Sequence, residues 1–241
     1  MSAHDNTELT AASGVQSDTA SNGRRAFLRS AGLTGAALAL AGCSLDGAAL
    51  FEPAGPTRAM IGPNGSITLD FSTDIDVLNY AYALEQLEAA FYIGVVANAA
   101  FATIFAANEQ RVLRDVRDHE VAHRDFFAAA LGSARIPNLT PAFGAIDFAN
   151  RLSVLQTART FEDLGVSAYN GAAKYLASAA YLGVAGKIVS VEARHASAIR
   201  DLLNNRSADF APNAFDMGNT PQAVLTAADP FIVESITAIN T

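Results

Sequence analysis

From Asp74 onward, apolar side chains return every three or four positions in four long stretches, and the breaks between those stretches are unequal. "DIDVLNYAYALEQLEAAFYIGVVANA" puts Val77, Leu78, Ala81, Leu84, Leu87, Phe91 and Val95 on one helical stripe, with Thr73 or Asp74 as the N-cap. The same periodicity predicts helices over roughly 74–98, 108–131, 150–177 and 180–204, the second ending at Gly132. Short links join the first to the second and the third to the fourth, so each pair is expected as an antiparallel hairpin. Between the hairpins, "GSARIPNLTPAFGAI" opens a longer loop over about 132–149. A helix of about 25 residues is roughly 37 Å long, and about 18 extended residues can run along that length. The expectation is an all-α chain: a four-helix bundle with one long crossover.

The rest of the 241 residues read differently. Residues 1–23 are polar and without period, as disordered segments are. "GRRAFLRSAGLTGAALALAGCS" follows, in which Arg24 and Arg25 resemble a twin-arginine export signal. The apolar core from Ala31 to Gly42 is too short to span a bilayer. It ends in "LAGC", which resembles a lipobox with Cys43 as the acylated residue. Cys43 is the one cysteine in the chain, so no intrachain disulfide can form. Residues 44–73 are expected as a linker, with "ITLDF" a short extended segment. In the tail, 205–241, Thr220-Pro221 and Asp229-Pro230 each set a cap before a proline and predict two short helices. These signals point to an exported protein of the periplasm or cell envelope, passed through the twin-arginine machinery and held by a lipid on Cys43. A formal charge of −8 leaves no basic face for nucleic acid.

Polar residues within the helices carry the chemistry. The second helix contains "RDHEVAHRDFF", with Glu120 and His123 three apart, and the fourth contains "VEARH", with Glu192 and His195 three apart. Residues i and i+3 share a helix face with Cβ atoms about 5–6 Å apart, so both side chains can meet one ion. One such pair is ordinary on an exposed face. Here Glu85 stands on the first helix and Glu162 on the third, giving the order Glu, Glu-x-x-His, Glu, Glu-x-x-His. Heights agree as well: Glu85 and Glu120 are equidistant from residues 102–103, and Glu162 and Glu192 from Ala177. Four carboxylates in one layer of an alanine and leucine bundle repel one another and are costly to desolvate unless cations offset them. Two metal ions are therefore expected. The oxygen and imidazole donors suit iron and manganese alike.

Tyr92 follows Glu85 by seven and Tyr169 follows Glu162 by seven, two turns along the same face. They are read as packed core or as partners of the ligands. Glu88, one turn after Glu85, is read as a partly exposed charge or as a neighbour of the ligands. Asp118 and Arg194 are candidates to brace ligands. His119 projects about 100° from Glu120 and is expected in solvent.

The pattern Glu-x6-Tyr, Glu-x-x-His, Glu-x6-Tyr, Glu-x-x-His resembles that of erythrins and rubrerythrins in the ferritin-like superfamily. "DVLNYAYALEQLEAAFY" is also similar to the start of the ferritin-like domain of desiccation-related proteins. The resemblance covers about 74–204 and implies a di-iron carboxylate site made of Glu85, Glu120, His123, Glu162, Glu192 and His195. A single cysteine cannot build the four-cysteine iron site that rubrerythrins use as electron donor, and only Glu88 and Glu109 are available for an additional glutamate ligand. The implied activity is oxidation of ferrous iron, or handling of oxygen or peroxide in stress protection. An enzyme of this kind would be an oxidoreductase of ferroxidase, peroxidase or catalase type. The alternative is a non-enzymatic desiccation- or stress-related envelope protein on the same scaffold. Metal ions and small oxidants are the expected partners, and a homodimer is compatible with the pattern.

Overall fold

The computed structural model describes residues 59–241, so Arg24, Arg25, Cys43 and the expected disordered export segment lie outside the described residues. Four long helices form where the periodicity places them: α1 (Asp74–Ala97), α2 (Ala107–Leu131), α3 (Arg151–Ala172) and α4 (Ala179–Leu203). The starts of three are set by local hydrogen bonds. Thr73 accepts from the Asp76 N–H, Asn150 from those of Leu152 and Ser153, and Ser178 from that of Tyr181. Ala106 has no capping oxygen, and Glu109 instead reaches back to its N–H at 2.8 Å. Gly132, at φ +52°, closes α2 in a conformation that a side chain would resist.

α1 pairs most extensively with α2, and α3 with α4, as two hairpins do. A one-turn helix, Phe101–Ile104, makes the first link, and a 3₁₀ turn, Ala173–Tyr175, begins the second. Asp74 ties the hairpins together by accepting from the Ala177 and Ser178 N–H groups at 2.7 and 2.9 Å. Arg151 does so at the opposite end, donating to Glu109 at 3.1 Å and to the Leu202 carbonyl at 2.7 Å.

α1 is buried on nearly every side, whereas the other three long helices keep a polar face. Its second cover is the crossover over residues 132–150. Buried Asn79 donates to the Ala134 carbonyl and accepts from the Ile136 N–H, at 2.9 and 2.8 Å. Gln86 accepts from the Leu139 N–H at 2.8 Å. Phe143 and Phe148 then pack on Phe91.

The tail departs from the two expected helices. The first forms as α5 (Pro221–Ala228), capped by Thr220. The second is only a 3₁₀ turn, Asp229–Phe231, and the chain then extends into strand β3 (Ile236–Ile239). Within the stretch expected as a linker, β1 (Met60–Ile61) and β2 (Ile67–Asp70) form, and β2 is the extended "ITLDF" segment. The sheet order is β1-β2-β3, antiparallel then parallel, with Ile67 opposite Ile236 and Asp70 opposite Ile239. Ile67, Leu69 and Phe71 point into the core, where Phe71 meets Tyr80 edge-on at 5.3 Å. The β-branched residues of "IVESIT" favour extended backbone, and β2 supplies its pairing partner. Among the described residues, no helix is long and apolar enough to cross a membrane.

Candidate metal centre

One residue layer at mid-bundle holds all six candidates. Glu85 enters from α1, Glu120 and His123 from α2, Glu162 from α3, and Glu192 and His195 from α4. Each of the four glutamates is 0% exposed. They form two overlapping clusters, one of Glu85, Glu120, His123 and Glu192, the other of Glu120, Glu162, Glu192 and His195. Within each cluster the donor atoms lie within 4.8 Å of one another. Opposite ligands on an ion with bonds of about 2.1 Å are about 4.2 Å apart, so each cluster is the size of one coordination sphere.

Hydrogen bonding sorts the carboxylates into two kinds. Tyr169 donates to Glu85 Oε1, and Tyr92 donates to Glu162 Oε1. Glu85 and Glu162 thus keep one oxygen each without a partner, while Glu120 and Glu192 keep both. Glu120 and Glu192 are also the two residues shared by both clusters. If metal is held there, such a set would suit two shared carboxylates and two terminal ones. The sequence leaves open whether Glu85 and Glu162 cap or bridge; their tyrosine bonds favour the capping position.

The imidazoles face inward through Nδ1. His123 Nδ1 is 2.9 Å from Glu192 and 3.4 Å from both Glu85 and Glu120. His195 Nδ1 is 2.7 Å from Glu120, 3.4 Å from Glu162 and 3.6 Å from Glu192. None of these approaches satisfies a hydrogen bond at Nδ1. Among the described residues, every buried side-chain atom without a hydrogen-bond partner belongs to these six side chains, apart from Asp76 Oδ1 and the Tyr80 hydroxyl. Such concentration is the reverse of the rule that buried polar groups are paired. Atoms able to share a cation would account for it.

The electrostatics agree. Without a cation, burial pushes Glu85 up to about 8 against the pull of His123, and burial likewise raises Glu162. Burial also acts upward on Glu120, but the two imidazoles beside it prevail and hold it at about 2. Burial alone would lower His123 and His195; the surrounding glutamates reverse this and push each up to about 12. Positive charge placed among these carboxylates would offset their mutual repulsion and remove the pull that protonates the imidazoles.

The neighbours of the six side chains fall on both sides of the sequence expectation. Tyr92 and Tyr169 are buried and bonded to the carboxylates, each serving the glutamate of the other hairpin. Glu88 is buried, not partly exposed, and its Oε1 sits 3.0 Å from where a Cβ on Gly165 would stand. Burial and the cluster's charges raise its pKa well above the usual carboxylate range. The space exists because the α3 counterpart of Glu88, three residues after Glu162, is a glycine. Glu109 is taken up by Arg151. Asp118 pairs with Arg117 and Arg194 with Ser190, so neither braces a ligand.

His119 is the residue that sequence reasoning missed. Its Nδ1 is 2.9 Å from His195 Nε2, and the two rings stack at 5.1 Å with an interplanar angle of 11°. His119 is exposed, as a side chain 100° from the core direction should be, but it lies at the edge of α2 that meets α4 and so reaches His195. Counting that angle against a neighbouring helix would have found it.

A family model described as a ferritin-like domain matches residues 73–205. A search among curated proteins returned no match.

Proposed function

The chain belongs to the ferritin-like domain family, and on that premise we propose that it is an exported di-metal carboxylate protein that oxidises ferrous iron or handles oxygen or peroxide in stress protection. The observation that carries this reading is the set of buried, unpartnered donor atoms on Glu85, Glu120, His123, Glu162, Glu192 and His195. Hard oxygens and imidazoles serve iron and manganese alike, and the resemblance to di-iron carboxylate bundles makes iron the first choice. Glu85 and His123 would hold one ion and Glu162 and His195 the other, with Glu120 and Glu192 between them. Bound there, the two ions would supply redox and Lewis-acid chemistry toward a small oxidant.

The protein's own part is to bind, orient and exclude water. Tyr92 and Tyr169 fix the outer carboxylates through their hydroxyl protons. The fully buried glutamates keep bulk water from the layer. An apolar cavity of about 30 Å³, walled in part by Leu84, Phe127, Ala168 and Tyr169, adjoins the tyrosine that holds Glu85. A cavity of that kind favours a small apolar oxidant such as dioxygen over a charged one. Export through Arg24 and Arg25 and anchoring at Cys43 complete the proposal. They would set this chemistry in the cell envelope.

Elemental analysis of protein purified from its own envelope tests the reading. About two ions per chain, iron ahead of manganese, are expected, with a lower melting temperature for metal-stripped protein. Protein without metal, together with unchanged melting of Glu120→Ala and His195→Ala, would overturn it. The second reading, a scaffold without chemistry, predicts normal stress protection from a variant lacking all six ligands.

A further inference from the structure

The bundle has a near-twofold internal repeat. Glu85, Tyr92, Glu120 and His123 in the first hairpin correspond to Glu162, Tyr169, Glu192 and His195 in the second. One side chain touching a ligand has no counterpart. His119 stands immediately before Glu120, whereas Val191 stands immediately before Glu192. Val191 has no hydrogen-bonding side chain, so α4 offers His123 nothing equivalent to the 2.9 Å contact that α2 offers His195.

The chemistry of the contact is directional. His195 turns Nδ1 toward Glu120, Glu162 and Glu192. A cation there takes the Nδ1 lone pair, so the proton of the neutral ring sits on Nε2. His119 Nδ1, 2.9 Å away, is the acceptor for that proton. Its own ring proton then lies on Nε2. The stack at 11° holds both rings in one orientation, with His119 on the exposed surface and His195 nearly buried. A ligand imidazole whose far nitrogen is bonded in this way is fixed in tautomer and aim and is a better donor.

We infer that His119 is a positioning residue that makes the two metal positions inequivalent, so that the cluster of Glu120, Glu162, Glu192 and His195 fills first and holds its ion more tightly. This rests on the di-metal reading above and concerns the order of filling, which that reading leaves free. The repeat supplies matched ligands; His119 supplies a hydrogen-bonding difference between the two imidazoles.

The test is a stepwise titration of the metal-free full chain with Mn(II), following free Mn(II) by electron paramagnetic resonance and heat by calorimetry. The wild type is expected to bind in two resolvable steps. His119→Leu should weaken the tighter step by about 10–100-fold and leave the other within error. His119→Asn sets an amide oxygen close to the position of Nδ1 and should restore most of the loss. A purely structural role would lower the metal-free melting temperature and weaken both steps together, which overturns the inference, as do unchanged steps. Should His119→Leu not fold, the Asn variant decides: two steps like the wild type support the inference, and merged steps refute it. A wild type that binds two ions in identical steps refutes only the inequivalence. A wild type that binds none removes the di-metal reading and this inference with it.

Discussion

Tyr169 on α3 donates its hydroxyl to Glu85 on α1, seven residues before Tyr92, which donates in return to Glu162 on α3. The two bonds cross the bundle and bind each terminal carboxylate to the other hairpin. Tyr169→Phe keeps the packed ring and removes only the hydroxyl. It should weaken the ion held by Glu85 and His123 by about 10–100-fold, the usual effect of losing an outer partner. Tyr92→Phe should act on the other ion. Mn(II) titration of both variants checks the assignment; loss at the opposite position from the one named, or at neither, contradicts it.

The buried charges predict an unusual pH response for metal-free protein. Glu85, at about 8 when folded against 4.5 ordinarily, stays protonated after the unfolded chain has ionised. Its contribution is full below 4.5 and is lost as pH rises through 8. His123 and His195, at about 12 against 6.5, contribute fully below 6.5 and lose this as pH rises toward 12. Glu120, at about 2, contributes above 4.5 and loses this only toward pH 2, so it does not tilt the neutral range. The other groups all act in one direction. Metal-free melting temperature should fall between about pH 5 and pH 8, while metal binding, which needs deprotonated ligands, strengthens. The gap between metal-loaded and metal-free melting curves should therefore widen with pH, and a constant gap would count against bound metal.

How far the sequence foretold this centre depends on the range over which each signal acts. Glu120–His123 and Glu192–His195 are local pairs whose helix spacing fixes their geometry, and the equidistance of Glu85 and Glu120 from 102–103 makes their shared height calculable. The helix ends are legible for the same reason, since Asn150, Ser178 and Thr220 cap the amides beside them. The burial of Glu88 and the contact of the exposed His119 were not legible because they depend on other helices: the absent side chain of Gly165 in one case, His195 in the other. β3 was missed because its partner, β2, lies far away at the start of the folded region, and a four-residue strand has no signal without it.

The crossover gives a stability prediction. Asn79 is fully buried, and both ends of its amide are bonded to loop backbone, at Ala134 and Ile136. Asn79→Leu keeps the volume but leaves the half-buried Ala134 carbonyl and the buried Ile136 N–H without these partners. Each costs about 1–3 kcal/mol, so a total loss of about 2–6 kcal/mol is expected. Urea unfolding measures it. A loss below about 1 kcal/mol would mean that the loop is held by Phe143 and Phe148 on Phe91 instead.

Glycines in α3 and α4 should respond to alanine with opposite signs. A Cβ on Gly171 would stand 1.7 Å from the backbone oxygen of Asn219, too close for any rotamer to relieve. Asn219 also fastens the tail through its N–H to the Ser167 carbonyl at 3.0 Å, immediately before Thr220 caps α5. Gly171→Ala must therefore push the tail off α3, uncovering the face on which Val224 and Leu225 are buried. Overpacking of this kind costs about 1–3 kcal/mol, and protease cutting within residues 208–220 should rise. Gly183 and Gly186 on α4 have nothing within 4 Å of where a Cβ would stand and carry no positive φ. There alanine only restricts the unfolded chain and favours helix, worth about 0.5–1 kcal/mol each. Thermal melts of the three single variants give the comparison: Gly171→Ala below the wild type, Gly183→Ala and Gly186→Ala at or above it. A Gly171→Ala variant as stable as the wild type would show that the tail is not seated against α3 at Asn219.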